Sequence, residues 1–458
     1  MGMKKTPASE LICLLTRFGL SETESARATS LARKLKASEW EELAAYTRDN
    51  TVHPMVLTAV RALGVEDSVP GALILEWSDF ADKVRSKNAA RLVHVTRFLN
   101  ELRAAGIPFL LLKGICLAEI LYRDFAYKKM NDVDLLLKPE DIGSAYRILE
   151  SLDYFPIGER FSGDATAQLK YTHAAVPYVS RDFGCVVGML SGIKSPLAGY
   201  QIDYAAMWNR AVEFDFHGTP ARRFNDQDML IHLLIHYGFF KTQLKDLADI
   251  YNLIRGSEQT WDWNSVGAQI QEIGMEDHAY HALALANAVC PLPELRKLLA
   301  ALKQKVSHRT AQNVEKRLDS LPLLLKCSSD HIQTVEKEMT YFNLTQKPSE
   351  KLKFFARTWR NVLFPPQAEV LRMAVLDADS SLMKKVMAQV VAPQAILSEI
   401  AEEMTPKLLA IVAAKTVIDL ASTLAKSMVE KNPKGLLEFA KANGIQAEEF
   451  NRLVASIS

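Results

Sequence analysis

The sequence predicts an α+β fold in which a small mixed β-sheet is flanked by a helical N-terminal region and a large helical C-terminal region. Apolar residues recur three and four positions apart in residues 1–100 and again after residue 225, which is the pattern of amphipathic helices. Between these regions, short runs, several with period-two alternation, are bounded by Gly, Ser or Asp, as β-strands are; the strands predicted here are Ala174 to Val179, Cys185 to Leu190, Tyr200 to Tyr204 and Val212 to Phe216. The last strand candidates follow one another without an intervening helix, so a doubly wound sheet is not predicted.

The composition limits the class of protein. With 458 residues, the chain is long enough for two or three domains of about 150 residues each. Its 55 basic and 54 acidic residues nearly cancel, which argues against a purely electrostatic attraction to nucleic acid or to an anionic membrane. No stretch approaches the roughly 20 apolar residues of a membrane span. Five scattered cysteines without a CxxC pair argue against a disulfide framework and favour a reducing, cytoplasmic location.

The first hundred residues are predicted to be helices. Ser38, followed three residues later by Glu41, is typical of a capping box. The segment from Glu76 to Leu102 has one apolar face, and Gly106 is expected to end this helix just before a strand. We interpret this region as a helical cap that packs on the sheet.

A phosphate-binding turn is predicted at Lys113-Gly114. The apolar run from Phe109 to Leu112 is broken by these two residues, which indicates a strand that turns into a helix with free backbone N–H groups. Glycine permits close backbone approach, and the lysine supplies a positive charge for a triphosphate.

A pair of aspartates follows eighteen residues after Gly114. Asp132 and Asp134 stand at i and i+2 of a predicted strand, so both carboxylates project to the same face. Such oxygen ligands suit Mg²⁺ (or Mn²⁺), which is commonly held by one or two carboxylates together with substrate phosphates. The alternative is a solvent-facing strand edge without a metal.

These motifs together resemble a known family. The pattern resembles the uncharacterised nucleotidyltransferase family, a branch of the DNA-polymerase-β-like superfamily, over about residues 89–255. The resemblance implies Mg²⁺-dependent transfer of a nucleoside monophosphate from a nucleoside triphosphate, such as ATP, to a hydroxyl of unknown identity on a protein, an RNA or a small molecule. The residues that carry it are Lys113, Gly114, Leu117, Tyr122, Lys128 and the run Met130 to Leu136.

The resemblance implies a third carboxylate, for which Asp203 is the candidate metal ligand or base. It stands in Gln201-Ile202-Asp203-Tyr204, which resembles the place where the family has an acidic residue followed by an apolar residue and often a histidine; here Tyr204 takes the histidine's place. Glu213 and Asp215 are weaker candidates. The alternative is a strand-end aspartate that is hydrogen-bonded to a turn.

Several basic and histidine residues have two interpretations. Lys128 is predicted to bind the nucleotide's phosphates, and the alternative is a solvated loop. His232 and His236 lie one turn apart on a helix that Asn225 is expected to cap. Packing or substrate contact is favoured over zinc for this pair, because the glutamate of a catalytic zinc motif is absent. In the family, a helix such as Leu244 to Tyr251 closes the cleft, and Asp246 or Asp249 is expected to orient a histidine.

The predicted domains are a helical cap (1–88), a nucleotidyltransferase-like core (89–225), a helical domain that closes the cleft (226–364) and an all-helical C-terminal domain (367–458). Pro365-Pro366 marks the last boundary. The Ala-rich C-terminal domain suits a protein partner. A non-catalytic nucleotide-sensing or scaffold protein that acts through this domain is therefore the alternative function.

Overall fold

The computed structural model describes residues 4–156, 169, 173–182, 184–194, 200–237, 243–257 and 260–325. The chain divides into two units, Met1–Phe155 with Ala165–Ser328 and Pro156–Asp164 with Ser329–Ser458. Apart from Pro156, the described residues belong to the first unit. The predicted boundaries after residues 88 and 225 fall inside this unit, whereas the predicted domain 367–458 and its possible protein partner lie outside the described residues.

Four short helices open the chain, as predicted. Thr6 and Ser21 cap the first two of them, each with a reciprocal capping box. The capping box predicted at Ser38 is wrong, because the third helix begins two residues earlier than this cap requires: Lys36 is its N-cap, and Glu39 is bonded back to the Lys36 backbone. The helices are α1 (Pro7–Leu15), α2 (Glu22–Ala32), α3 (Ala37–Asp49) and α4 (His53–Ala62).

The long helix α5 (Gly71–Ala104) connects this bundle to the sheet. Its second half has the apolar face that the sequence predicts, with Val95, Phe98 and Leu99 fully buried. Gly106 follows the C-cap residue Ala105 and has a φ of +69°, the left-handed conformation that favours glycine and ends the helix, as predicted.

A seven-stranded mixed sheet follows, with the order β3-β4-β5-β2-β1-β7-β6. The central strands β1 and β2 are antiparallel, whereas β2 with β5 and β1 with β7 are parallel pairs. The α+β class with a mixed sheet is therefore confirmed. The strands are β1 (Phe109–Leu111), β2 (Val133–Leu137), β3 (Tyr154–Pro156), β4 (Tyr178–Ser180), β5 (Val186–Leu190), β6 (Val212–Phe216) and β7 (Thr219–Arg223).

Helices connect and cover these strands. Asn225 is the N-cap of α9, as predicted, and its side chain accepts the Asp228 N–H at 2.8 Å. One continuous hydrophobic core includes residues from the N-terminal helices, the sheet and the later helices. The helices are α6 (Lys113–Leu117), α7 (Ile142–Ser151), α8 (Tyr204–Arg210), α9 (Asp226–His236), α10 (Leu244–Gly256), α11 (Trp263–Ile273), α12 (Glu276–Val289), α13 (Arg296–Lys305), α14 (His308–Leu318) and α15 (Leu321–Leu325).

One predicted strand is wrong and two were not predicted. Residues 200–204 form no strand, because Asp203 caps α8 and Tyr204 is the first residue of that helix. The short strand β3 and the strand β7 were missed. Strand β7 was missed because it contains Pro220, and a proline within a run of residues argues against predicting a strand from the sequence. None of the helices in the described part of the chain is long and apolar enough to cross a membrane.

Buried histidines make the stability of the fold dependent on pH. Burial lowers the pKa of His53 and of His173 to about 4, and it lowers the pKa values of His232 and His278 well below the usual value. The unfolded chain titrates near pH 6.5, so below that pH it binds protons that the folded chain does not. Stability is then fully present above pH 6.5 and is lost as the pH falls.

We therefore expect the melting temperature to fall between pH 7 and pH 5, with a loss of about 1–2 kcal/mol for each such histidine. The melting temperature is measured by thermal unfolding in buffers of constant ionic strength at each pH. Ordinary carboxylates titrate below this range, so a melting temperature that stays constant from pH 7 to pH 5 would contradict the burial of these side chains.

Candidate functional site

A polar cleft lies where the β1–α6 turn, the segment before β2, the end of α9 and the start of α10 meet. It contains the predicted phosphate turn and both aspartates of the predicted metal pair. Four lysines, four aspartates and one histidine are among its lining side chains. The lining residues are Lys113, Gly114, Ile115, Lys128, Lys129, Met130, Asn131, Asp132, Asp134, Leu233, His236, Tyr237, Lys245, Asp246 and Asp249.

The antiparallel pairing of β1 and β2 brings the turn and the aspartates together. Leu111 lies opposite Leu135, and the Leu112 N–H donates to the Asp134 carbonyl at 3.0 Å. The end of β1 therefore meets the start of β2. As a result, Lys113 is placed beside Asp134 although their numbers differ by 21.

The Lys113 ammonium donates to Oδ2 of Asp134 at 2.7 Å. Burial lowers the pKa of Lys113, but the attraction of Asp134 and Asp132 outweighs this effect, so the pKa lies above its usual value. Lys113 has a φ of +30°, a conformation that is uncommon for a residue with a side chain. Strained backbone conformations of this kind persist only where surrounding contacts enforce them, and they are concentrated at functional sites.

The two aspartates differ in their surroundings. Asp132 is exposed, whereas Asp134 is only 8% exposed. Asp134 lies beside Gly188 of the parallel neighbour β5, and a Cβ atom on Gly188 would approach Oδ1 of Asp134 to 2.6 Å. The strand next to Asp134 therefore needs a residue without a side chain at this position.

Lys128, the third residue predicted to bind the nucleotide, already has a carboxylate partner. Its ammonium pairs with Oδ2 of Asp249 on α10, and both side chains are buried. The Tyr122 hydroxyl donates to the other oxygen of Asp249 at 2.9 Å. The solvated-loop alternative for Lys128 is therefore wrong. The expectation that Asp249 orients a histidine is also wrong, because a lysine and a tyrosine occupy its two oxygens.

Asp203 does not lie in this cleft. It is the exposed N-cap of α8, where its carboxylate accepts the Ala206 N–H at 2.9 Å, close to the alternative of an aspartate bonded to a turn. Glu213 and Asp215 are exposed on the edge strand β6, which β1 and β7 separate from β2. Within the described ranges, no three His, Cys, Asp or Glu side chains come together as a metal-binding group.

The histidines of α9 lie at different depths. His232 is buried and makes an edge contact with the ring of Phe224, whereas His236 is half-buried and lines the cleft. Burial lowers the pKa of His232 well below its usual value, and the nearby Lys113 lowers it further. Burial therefore favours the neutral form of His232, which packs against Phe224.

The model of the uncharacterised nucleotidyltransferase family matches residues 36–291 of the chain. This match covers more than half of the 458 residues. The chain belongs to the uncharacterised nucleotidyltransferase family. A comparison with curated proteins finds no match.

The family match is wider than the region that the motifs indicated. It begins near α3 and ends just beyond α12, so the family region includes most of the helical cap and the helices after the sheet. The cleft of this family member is lined by residues from Lys113 to Asp249, all within the match. Family membership supports a nucleotidyltransferase activity in general.

Sequence reasoning missed the roles of Gly188 and Asp249. A signal for Asp249 was present, because it stands among Leu247, Ala248, Ile250 and Tyr251, all of them buried. A carboxylate in an otherwise apolar stretch of helix indicates a buried partner. Gly188 gave no comparable signal, since a side chain at this position would meet the Asp134 carboxylate only because β5 pairs with β2.

Gly188→Ala tests the close approach to Asp134. The added methyl group would lie 2.6 Å from Oδ1 of Asp134, so we expect a loss of about 1–3 kcal/mol in the free energy of unfolding, measured by urea denaturation. Gly143→Ala on α7 is the matched control, because nothing lies within 4 Å of its Cβ and alanine favours a helix by about 0.5–1 kcal/mol. Equal stability of both variants would contradict the described geometry.

Proposed function

We propose that the protein transfers a nucleoside monophosphate from a nucleoside triphosphate to a hydroxyl acceptor, with Mg²⁺ or Mn²⁺ held by Asp132 and Asp134. One observation carries this proposal: the Lys113-Gly114 turn and the two aspartates lie in a single cleft. Family membership supports nucleotidyl transfer as the general activity. The acceptor is a protein, an RNA or a small molecule.

The donor set of the cleft fits a hard divalent cation. Asp132 and Asp134 offer oxygen ligands, and Mg²⁺ is typically held by one or two carboxylates with the substrate phosphates. The Lys113 ammonium lies 2.7 Å from Asp134, so this carboxylate already stabilises a positive charge in the cleft. When bound, the metal would neutralise charge on the phosphates during transfer.

The side chains of the chain itself would position the reactants. The Gly114 backbone and Lys113 would bind the triphosphate, with the Lys113 ammonium moving from Asp134 to the phosphates as the cation binds. The acceptor hydroxyl would then release its proton to solvent, and its oxygen would form a bond to the α-phosphorus as the bond to pyrophosphate breaks. Catalysis of this kind depends mainly on positioning and on charge neutralisation.

A second candidate function is nucleotide binding without transfer. The observation that favours it is that the described part of the cleft brings no third metal-ligating side chain to Asp132 and Asp134. The two functions share a nucleotide site and differ in whether label reaches an acceptor.

Asp132→Asn tests the transfer function. Asp132 is exposed, so the substitution should leave the melting temperature nearly unchanged, but transfer of label from α-³²P-ATP to acceptors in cell extract should fall by about a hundredfold or more. Asp67→Asn, on an exposed turn far in sequence from the cleft, is the control and should transfer normally. A wild-type protein that binds ATP but labels no acceptor pool would favour the second function.

Lys113→Met tests whether the ammonium competes with the metal. We expect the affinity for Mn²⁺ alone to rise by about tenfold, because Asp134 loses its competing cation, whereas the affinity for ATP in the presence of Mn²⁺ should fall by about tenfold. Calorimetry measures both affinities. Lys138→Met, at an exposed position just after β2, is the control. If the affinity for Mn²⁺ alone and the affinity for ATP with Mn²⁺ both rose or both fell, the result would contradict the proposal that the Lys113 ammonium moves from Asp134 to the phosphates.

A further inference from the structure

We infer that Asp249 is a positioning residue, which holds the phosphate turn and the metal-binding aspartates at a fixed spacing by binding Tyr122 and Lys128 at the same time. Its effect on nucleotide binding rests on the proposed function. Its effect on the structure of the cleft does not. The segment 123–132, which leads from Tyr122 to the aspartate pair, is called the cleft loop below.

The first contact leads to the phosphate turn. Tyr122 ends the single π-helical turn Ala118–Tyr122, which continues α6 from its start at Lys113. Its hydroxyl donates to Oδ1 of Asp249, and its ring stacks on Tyr127 at a centroid distance of 4.6 Å. Burial raises the pKa of Tyr122 well above its usual value, and Asp249 raises it further, so the tyrosine stays a donor.

The second contact leads to the metal-binding aspartates. Lys128 lies in the cleft loop, four residues before Asp132, and its ammonium pairs with Oδ2 of Asp249. The backbone of the same loop is fixed from the other side, because the Asn88 amide on α5 donates to the carbonyls of Phe125 and Lys128. The loop is therefore held between α5 and α10.

The helix that carries Asp249 is itself firmly attached. Asn252 binds the Phe18 N–H and the Thr16 carbonyl, and the Tyr251 hydroxyl donates to Thr16 Oγ1 at 2.7 Å. Arg255 on the same helix makes two bonds of 2.8 Å to Glu24. Asp249 thus transmits the position of a rigid helix to the cleft loop.

A buried charged pair is a costly way to gain stability alone. Asp249 is 3% exposed and Lys128 is 8% exposed, and a well-packed apolar pair of similar volume is often as stable. Buried polar groups do fix one geometry, because their directional bonds have few alternatives. The pair also occupies Lys128, so its ammonium serves the loop and not the triphosphate.

Hydrogen exchange of the cleft loop tests this inference without any ligand. Asp249→Asn leaves Lys128 without its carboxylate, and we expect the amides of residues 123–132 to exchange about tenfold faster. Asp228→Asn is the matched control, since it removes a fully buried carboxylate that is paired with Arg210 outside the cleft, and the cleft loop should then exchange at the wild-type rate. Tyr122→Phe is a second variant for the case that Asp249→Asn does not fold. It removes only one hydrogen bond, so we expect a smaller increase in the exchange rate of the cleft loop, of about threefold.

Equal exchange of the cleft loop in the Asp249 and Asp228 variants would overturn the inference, as would an unchanged loop in Tyr122→Phe when that is the variant measured. Affinity for ATP with Mn²⁺ is measured on the same proteins, and the Asp249 variant should bind about tenfold more weakly than the Asp228 variant. A wild type that does not bind ATP with Mn²⁺ would refute the proposed function, while the exchange data would still decide the role of Asp249.

Discussion

The antiparallel pairing of β1 with β2 is the constraint on which the site depends. It sets Leu111 opposite Leu135, so the chain leaves one strand at Lys113 where it enters the other at Asp132. Backbone hydrogen bonds fix this register, and a slip of one residue would turn both aspartates to the opposite face. The spacing of the cation and the carboxylates is therefore a property of the sheet.

Two lysines of the cleft pair with carboxylates that are themselves buried. Lys113 with Asp134 and Lys128 with Asp249 each place an ammonium next to a carboxylate at low exposure. Breaking one partner of such a pair leaves an uncompensated buried charge, which is far more costly than the pair itself is favourable. The two pairs differ in what lies beyond them. Lys113 lies beside Asp134 and near Asp132, whereas Lys128 is bound to Asp249 on α10.

Helices on both sides hold the cleft loop in position. From α5, Asn88 holds the backbone of the cleft loop, and from α10, Asp249 holds its lysine side chain. The helical cap contacts α10 through Thr16 and Glu24. The family match from residue 36 to residue 291 includes both α5 and α10 as well as the sheet. This range agrees with a cleft that needs all three parts.

The sequence alone determined the features that depend on neighbours along the chain. Apolar periodicity predicted the helices and most strands, Asn225 and Gly106 were recognised as helix ends, and the i, i+2 spacing placed Asp134 on a strand, although Asp132 lies directly before β2 and not in it. Local pattern failed where one residue type serves two purposes. Asp203 was read as a strand carboxylate but caps a helix, since an aspartate suits both positions.

The tertiary structure alone decided the partners of the charged residues. Lys128 and Asp249 are separated by 121 positions, and no local pattern encodes a contact over that distance. The requirement for glycine at position 188 likewise arises only when β5 pairs with β2. The periodicity of the sequence indicates which face of a helix or strand is buried. The residues that contact this face are determined by tertiary packing, because packing brings together segments that are remote in sequence.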